Sequence, residues 1–412
     1  MDSGAEPADR GNGQYHLIRL DSRSIPTCTI PLMPRSIFIS VADASADQHA
    51  AELIKELRLL DPQIIIRGIG GAGMLAAGAR LSNETIGKAA MGWRGALRVL
   101  EVSQMIRQTR LSYQHDKPDL HICIDSSAMN LPFAKMARSM GVPVLYYIAP
   151  QLWASREGRM RKMRKYVNKL ACILPFEERY FRGHEVDATF VGHPLFDELP
   201  SDRSRPPGAK FPELPPVIGI VPGSRRGEVK ANLPPLLDVA RRMLAGFPGT
   251  RFLIPTTSAV DELVRRQVNE SADSLSTRFE MGLNSFDSLI PRCDLVLCKS
   301  GTSTLHVAAW GVPMIVVYRI NPLVWHGVGR WVIKTKKIAL VNILAGNTDL
   351  VPEFVPWYGS TDSVTDCAMN LLQHPALLDE QRSALGRLIH TLNRPGASAN
   401  VAQMAISMMT PP

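Results

Sequence analysis

The chain has 412 residues, 45% of them hydrophobic and 21% charged, which is typical of globular proteins and excludes a disordered chain. The length suits two domains better than one, and no run of about 18 apolar residues predicts a transmembrane helix. The net charge is +9 at pH 7, and it is concentrated in two segments.

The first basic segment, Trp153–Lys169, has seven Lys or Arg against one Glu, and the second, Asn321–Lys337, has four without an acid. Both also contain tryptophan or large apolar residues. This composition suits the surface of an anionic membrane, and it equally suits a solvated basic face. No recognised nucleic-acid module accompanies the charge, so we expect no nucleic-acid partner.

Two features of the sequence bear on the cellular location of the protein. Residues 1–33 are polar and lack the apolar core of a secretion signal, so we expect a disordered N-terminal extension. The six cysteines lie mostly in apolar runs without metal-ligand spacing. Such cysteines are typical of reduced core residues in a cytoplasmic protein.

Short β-branched runs alternate with segments of helical period, which predicts parallel sheets with crossover helices. The strands predicted for the first half are Ser36–Val41, Ile64–Ile69, Leu120–Asp125, Pro143–Ile148, Leu170–Leu174 and Thr189–Val191. The helices predicted between them are Asp47–Leu60, Arg94–Gln114, Leu131–Met140 and Arg156–Asn168. The strands predicted for the second half are Val217–Val221, Arg251–Ile254, Leu295–Cys298, Met314–Tyr318 and Ile338–Val341.

A Pro-rich break separates the two series of strands, so the predicted fold class is α/β with two Rossmann-like domains facing each other across a cleft. We place the first domain at 34–200, the linker at 201–216 and the second domain at 217–376. A C-terminal helix at 377–412 would pack either on the first domain or on a second subunit.

Two turns in the second half suit an anion. In Gly223-Ser224-Arg225 the glycine allows close approach of the backbone, and the arginine can bind a phosphate with two donors. Ser300-Gly301-Thr302 precedes a helix whose first amides and positive dipole end favour a diphosphate. Each turn alone equally fits an ordinary capped connection, but a diphosphate needs neutralising from more than one side.

The first half offers carboxylates at the ends of two strands. Asp125 ends an apolar strand and is a candidate general base, although it equally fits a turn cap. Asp43 and Ser45 follow the first strand, and Asp47 suits the N-cap of the next helix. His193 could orient a ligand, but a lone histidine is more often structural.

Taken in chain order, these motifs resemble those of the lipid-A-disaccharide synthase family, whose members are glycosyltransferases of the GT-B fold. The resemblance runs from about Ser36 to the C-terminus. Its motifs are Met91-Gly92, Ile124-Asp125 with Asn130, Tyr146–Pro150 through Trp153-Ala154, Pro175-Phe176-Glu177, Phe190–Pro194, Pro222–Arg225, Ser300–Thr302, Tyr318-Arg319 and Asn342–Gly346.

The resemblance implies that 2,3-diacylglucosamine passes from its UDP derivative to 2,3-diacylglucosamine 1-phosphate, with inversion to a β-1,6 link and release of UDP. Asp125 would be the general base, and Arg225 would stabilise the leaving diphosphate. The implied donor-site residues are Gly223, Ser224, Arg225, Ser300, Gly301, Thr302, His306 and Asn342. Those implied for the acceptor or lipid side are Asp43, Ser45, Asn130, Trp153 and His193.

The resemblance also implies partners and a location. We expect acylated glucosamine lipids as substrates, with no metal or other cofactor. The enzyme would lie on the cytoplasmic face of the inner membrane, peripherally bound to its anionic surface, and a homodimer is left open.

Some positions depart from the family pattern. Both glycines of the family's first turn are alanines here, at Ala42 and Ala46, and a second aspartate of the family is Ala128. The family's ribose-binding glutamate is His306, which when neutral offers one acceptor and one donor. We therefore expect His306→Glu to tighten donor binding. These departures leave two alternatives open: a glycosyltransferase with a different acceptor, and a non-catalytic lipid- or UDP-sugar-binding paralogue.

Overall fold

A computed structural model describes residues 34–84, 95–154, 157–200, 215–271, 276–320 and 337–410. The predicted N-terminal extension, the Met91-Gly92 motif and most of the linker lie outside these ranges. Within them the chain forms two parallel sheets, one in each half. Arg35–Pro412 is a single compact unit.

The first sheet has seven described strands in the order β3-β2-β1-β4-β5-β6-β7, and each neighbouring pair is parallel. The strands are β1 Ser36–Ser40, β2 Ile65–Gly70, β3 Arg80–Glu84, β4 Leu120–Ile124, β5 Val144–Tyr147, β6 Lys169–Cys172 and β7 Ala188–Phe190. The helices of this half are α1 Ala44–Leu60, α2 Ala72–Ala76, α3 Gly95–His115, α4 Ser127–Ser139, α5 Met160–Tyr166, α6 Pro175–Arg182 and α7 Leu195–Glu198.

The second sheet has six described strands in the order β10-β9-β8-β11-β12-β13, again all parallel. The strands are β8 Val217–Val221, β9 Arg251–Thr256, β10 Phe279–Leu283, β11 Leu295–Lys299, β12 Met314–Arg319 and β13 Glu353–Trp357. The helices are α8 Arg226–Gly246, α9 Asp261–Ser271, α10 Phe286–Leu289, α11 Thr302–Ala309, α12 Leu340–Leu344, α13 Asp362–Gln373, α14 Pro375–Leu392 and α15 Ala397–Met409. None of the helices in the described ranges has the length and hydropathy needed to cross a membrane.

The central strands read as continuous apolar runs because helices cover both faces of each sheet. Every residue of β1, β4 and β8 is buried. The strands were predicted from these apolar runs, and the predicted central strands are confirmed within one or two residues at each end.

Two predictions about secondary structure were wrong. Ile338–Val341 was predicted to be a strand, but α12 begins at Leu340 and the sheet continues with β13 instead. Short apolar runs do not distinguish a strand from a buried helical turn. Asp47 was predicted to cap the first helix, but α1 begins at Ala44 and its N-cap is Asp43, whose carboxylate accepts from the Ala46 amide at 3.0 Å.

The C-terminal segment returns to the first sheet. Helix α15 packs against α1, and its residues Val401, Ala402 and Ala405 belong to the core cluster that also contains β1 and β4. The carboxylate of Asp197, in α7, accepts hydrogen bonds from the Gly396, Ala397 and Ser398 amides at 2.6, 3.2 and 3.1 Å. Asp197 therefore caps α15 from the first half.

The two halves also share a hydrophobic cluster. It contains Leu195 and Phe196 from the first half together with Leu385, Leu388 and Leu392 of α14. Burial of such side chains stabilises a fold by roughly 1.5–3 kcal/mol each. The contact between the halves is therefore part of the core.

We expect Asp197→Ala to lower the free energy of unfolding by about 1–2 kcal/mol, because α15 loses its N-terminal cap. Urea unfolding of the purified chain measures this. Asp187→Ala is a suitable control, since Asp187 is an exposed acid of the same half. Equal losses in the two variants would contradict the capping role.

Candidate active site

Both sheets reverse their strand order at one point, and the predicted site loops follow the strands on either side of it. In the first sheet β1 and β4 are neighbours, and they lead to Asp43 and Asp125. In the second sheet β8 and β11 are neighbours, and they lead to Gly223–Arg225 and Ser300–Thr302. Ligands of open α/β sheets bind at such crevices. The topology therefore brings the predicted residues together in two pairs.

The backbone at Asp125 is held in an unusual conformation. Asp125 and Ser126 have φ angles of +53° and +32°, in the left-handed region that non-glycine residues rarely adopt. The carbonyl of Asp125 accepts hydrogen bonds from the Tyr146 hydroxyl at 2.5 Å and the Asn130 side chain at 2.9 Å. Such conformations persist where surrounding contacts over-determine them, and they are enriched at functional sites.

A buried hydrogen-bond chain leads to this turn. The Asn130 amide donates to the carbonyls of Asp125 and of the residue before it, so its oxygen must face Ser40, whose hydroxyl donates to it at 2.7 Å. Ser40 then has only acceptor capacity left, so His121 Nε2 donates to it at 2.9 Å. Burial lowers the pKa of His121 to about 3, so the ring is neutral and its Nδ1 accepts from Tyr113 at 2.8 Å. Every donor and acceptor direction in the chain is thus determined.

The carboxyl group of Asp125 interacts with both halves of the chain. Burial raises its pKa, and the negative charge of Asp43 raises it further. The Ser126 amide and the positive charge of Arg225 act in the opposite direction. Asp125 and Arg225, predicted from separate motifs, are therefore within electrostatic range of each other.

The first loop of the site is built around Asp47. Its buried carboxylate accepts from the Gly71 and Gly73 amides at 2.7 and 2.8 Å, so the glycine-rich run after β2 has a structural role. A Cβ on Gly73 would lie 2.8 Å from that carboxylate. This anchoring leaves Asp43, the cap of α1, at the carboxyl end of β1, with Ser45 exposed on the first turn of the helix.

The turn after β8 presents a cationic pair. Arg225 Nη1 and Lys299 Nζ both lie 3.1 Å from Glu228 Oε1. Gly223 has a φ of +122°, and a Cβ there would lie 2.6 Å from the same carboxylate, so this position requires glycine. Ser224 and Arg225 are exposed at the start of α8.

Glu228 orients these cations and remains ionised. Burial tends to raise the pKa of Glu228, but the charges and hydrogen bonds of Lys299 and Arg225 outweigh it, and the pKa is lowered. Sequence reasoning missed Lys299. Its position as the last residue of β11, at the carboxyl edge of the sheet, was the signal that could have identified it.

The Ser300-Gly301-Thr302 turn has the expected form but not the expected cap. The Ser300 hydroxyl donates to the Ile338 carbonyl at 3.2 Å, which ties the turn to the segment before α12. Gly301 is the N-cap residue and no side chain caps the helix. The first amides of a helix have no acceptor within the helix itself, so those of α11 suit an anion.

His306 does not stand alone on α11. Its Nε2 lies 2.6 Å from Asp287 Oδ1, which also accepts from the Trp310 indole at 2.8 Å, and its ring stacks on Phe286 at 4.2 Å. Burial lowers the pKa of His306, and Asp287 opposes that change. The sequence argument did not include Asp287. A glutamate at position 306 would face this carboxylate, so the expected gain from His306→Glu requires removal of the second charge.

His193 is buried, and the charges of His49 and His306 act on its ring. Its Nδ1 accepts from the Leu195 amide at 3.1 Å, so the ring proton is on Nε2, which has no partner among the described residues. Burial lowers the pKa of His193 to about 3, with smaller effects from His49 and His306. No three His, Cys, Asp or Glu side chains in the described ranges are placed to share a metal ion.

Two predicted ligand-binding residues have their side chains committed elsewhere. Asn342 is fully buried, and its amide bonds the backbone of Val351 and the carboxylate of Glu353. Asn130 is likewise buried, and it belongs to the hydrogen-bond chain that leads to the Asp125 carbonyl. In this structure both side chains support neighbouring loops, and direct ligand contacts from them stay predictions.

The basic segment that begins at Trp153 has a buried side and an exposed side. The Trp153 indole donates to Glu177 at 3.0 Å, and Met160 and Met163 are buried. Burial raises the pKa of Glu177 to about 7, against hydrogen bonds from Trp153 and the backbone. The exposed part of α5 is cationic, comprising Arg161, Lys162, Arg164 and Lys165. All of the second basic segment except Lys337 lies outside the described residues.

We expect Ser40→Ala to lower the free energy of unfolding by about 1–3 kcal/mol, because His121 Nε2–H and the Asn130 oxygen lose their buried partner. Chemical denaturation measures this. Ser139→Ala, at an exposed serine of α4, should change stability by no more than about 0.5 kcal/mol. Equal free energies of unfolding in the two variants would show that the hydrogen-bond chain through Ser40 does not stabilise the Asp125 turn.

Comparison with known proteins adds an independent result. A family model described as lipid-A-disaccharide synthetase matches residues 37–401. A lipid-A-disaccharide synthase of Anaeromyxobacter sp. (strain K) is 34% identical over 388 residues, covering 92% of this chain and 99% of the relative. One from Syntrophus aciditrophicus (strain SB) is 34% identical over 377 residues, covering 90% and 97%.

Solved structures share the fold at low sequence identity. UDP-GlcNAc 2-epimerase from Neisseria meningitidis, bound to UDP-GlcNAc, aligns with a TM-score of 0.61 at 12% identity, covering 91% of this chain and all of that one. MurG of Acinetobacter baumannii aligns with a TM-score of 0.53 at 14% identity, with the same coverage. These likenesses confirm the predicted GT-B arrangement of two Rossmann-like halves.

Proposed function

Because the chain belongs to the lipid-A-disaccharide synthase family of GT-B glycosyltransferases, we propose that it joins 2,3-diacylglucosamine from UDP-2,3-diacylglucosamine to 2,3-diacylglucosamine 1-phosphate. The product has a β-1,6 link formed with inversion, and UDP is released. The observation that carries this proposal is that the positive charge of Arg225, in the second half, acts on the carboxyl group of Asp125, in the first half.

The proposed reaction is a single displacement at the anomeric carbon of the donor sugar. The acceptor 6-hydroxyl oxygen forms the new bond as the bond from that carbon to the diphosphate breaks. Asp125 takes the hydroxyl proton, and its raised pKa brings it closer to the range in which a general base works best. The bonding electron pair leaves with UDP.

The diphosphate acquires negative charge as it leaves, and the second half supplies the groups that face it. Arg225 and Lys299 are already paired by Glu228 at the carboxyl ends of β8 and β11. The first amides of α11 add donors aimed at an anion. In this proposal these groups neutralise the leaving group, and no metal ion or other cofactor is invoked.

We further propose a peripheral position on the anionic, cytoplasmic face of the inner membrane, where acylated substrates are held. The exposed cations of α5 support it, since each Lys or Arg near an anionic leaflet contributes about 1 kcal/mol. The apolar members of that segment pack inward, so α5 supports electrostatic contact and not insertion. A homodimer stays a prediction.

We expect Asp125→Asn to lower the rate of UDP release in the presence of both substrates by about 10²–10⁴-fold. Asparagine keeps the size of the side chain and tolerates the left-handed backbone, so UDP binding should be unchanged. The matched control is Asp116→Asn, at an exposed carboxylate of the same half.

Three outcomes of this assay are distinct. Full turnover in Asp125→Asn would overturn the base assignment and retain the enzyme. Release of UDP by the wild type only with another acceptor would favour the alternative glycosyltransferase. No release from UDP-2,3-diacylglucosamine under any condition would overturn the proposed donor.

The pH profile tests the electrostatic environment of Asp125. A general base is active when deprotonated, so activity falls as the pH falls through its pKa. Asp43→Asn removes a charge that raises this pKa, so the acid limb should move to lower pH. Arg225→Gln removes a charge that lowers it, so the limb should move to higher pH even where the rate is reduced. Shifts in the same direction would contradict the arrangement.

A further inference from the structure

The carboxylate of Asp287 is held in place by one residue of α11 and by the residue that caps its C-terminus. Asp287 Oδ1 accepts from His306 Nε2 at 2.6 Å and from Trp310 Nε1 at 2.8 Å. The two donors are four residues apart, His306 within α11 and Trp310 at its C-cap, which places them on one side of the helix. Phe286 stacks on the His306 ring with an interplanar angle of 25°. Asp287 is therefore fixed relative to α11, although it belongs to α10.

The hydrogen-bond directions show which atoms remain available. An indole N–H only donates, and His306 Nε2 must also donate because it faces a carboxylate oxygen. His306 Nδ1 is then an acceptor in the neutral ring. Neither that nitrogen nor Asp287 Oδ2 has a hydrogen-bond partner within the described residues. The Asp287 side chain is 54% exposed, so a ligand can reach it.

The pair lies one helical turn from the anion-binding end of α11. His306 follows Thr302 by four residues, which is about 6 Å along the helix axis. The electrostatic neighbours of the pair include two residues of the first half, since Glu198 is affected by Asp287 and His193 by His306. Asp287 and His306 are therefore within electrostatic range of the first half.

We propose that Asp287, oriented by His306 and Trp310, accepts hydrogen bonds from the ribose hydroxyls of the nucleoside diphosphate whose phosphates bind at the first turn of α11. A ribose presents two neighbouring O–H donors, and a carboxylate with a free oxygen beside a bare ring nitrogen offers matching acceptors. A nucleoside diphosphate extends its ribose away from its phosphates, and the proposal places that ribose along α11 from Thr302 towards His306. This inference rests on the proposed function.

The test compares three probes by calorimetry on the whole chain: UDP, 2′-deoxy-UDP and inorganic pyrophosphate. We expect the wild type to bind UDP at least about 10-fold more tightly than 2′-deoxy-UDP, since a hydrogen bond to a charged group is lost. Asp287→Asn keeps an oxygen for His306 and Trp310 but replaces the free oxygen by a donor. This variant should reduce the preference to about 3-fold or less while binding pyrophosphate like the wild type.

The control is Asp362→Asn, an exposed carboxylate paired with Arg242, which should keep the full preference. Unchanged preference in Asp287→Asn, or none in the wild type, would overturn the role of Asp287 and leave the proposed function intact. A wild type that binds neither UDP nor pyrophosphate would instead overturn the donor site itself. Pyrophosphate binding by Asp287→Asn also shows that the variant is folded.

Discussion

The left-handed backbone at Asp125 is the constraint on which the rest of the first half depends. A β-strand that ended in the ordinary way would direct the next residues along the sheet. Here the chain turns within two residues and enters α4 at Ser127. The turn is stable because its carbonyl accepts from Tyr146 and Asn130, and Asn130 is oriented through Ser40 and His121. A strained carboxylate position is thus fixed by uncharged groups in the sheet interior.

In the second half, the turn after β8 is fixed by ion pairs. Glu228 is largely buried, and a buried carboxylate is unfavourable unless it is paired. Its two partners, Arg225 and Lys299, come from the ends of two different strands, so satisfying Glu228 also assembles a cationic site. Gly223 is required by the same carboxylate, because any side chain there would collide with it. Glu228 therefore accounts for the positions of Arg225 and Lys299 and for the glycine at position 223.

Sequence predicted the parts of the fold whose burial is periodic or continuous, and failed where burial is partial. The central strands are unbroken apolar runs, whereas the unpredicted strands β3, β10 and β13 lie at sheet edges and contain polar residues or Pro356. The site motifs lie on loops that the topology brings together, because the ends of β1, β4, β8 and β11 are at the switch points. Individual roles were harder to assign. Asn342 and Trp153 belong to motifs, yet their side chains bond inward, while Asp287 belongs to no motif and is revealed only by its contact with α11.

The two halves are joined near the end of the first half, where Phe190 and Asp197 are bonded to the segment that returns to it. The chain leaves the first half after α7 and returns through the segment before α15. Arg394 donates to the Phe190 carbonyl at 3.3 Å, and Asp197 caps α15. Gly192 permits this contact, because a Cβ there would lie 2.4 Å from the Arg394 carbonyl. The pKa of Asp125 depends on Arg225 in the other half, so it depends on the geometry that this junction sets. Contacts at the junction therefore help to hold Arg225 where its charge acts on Asp125, the proposed general base.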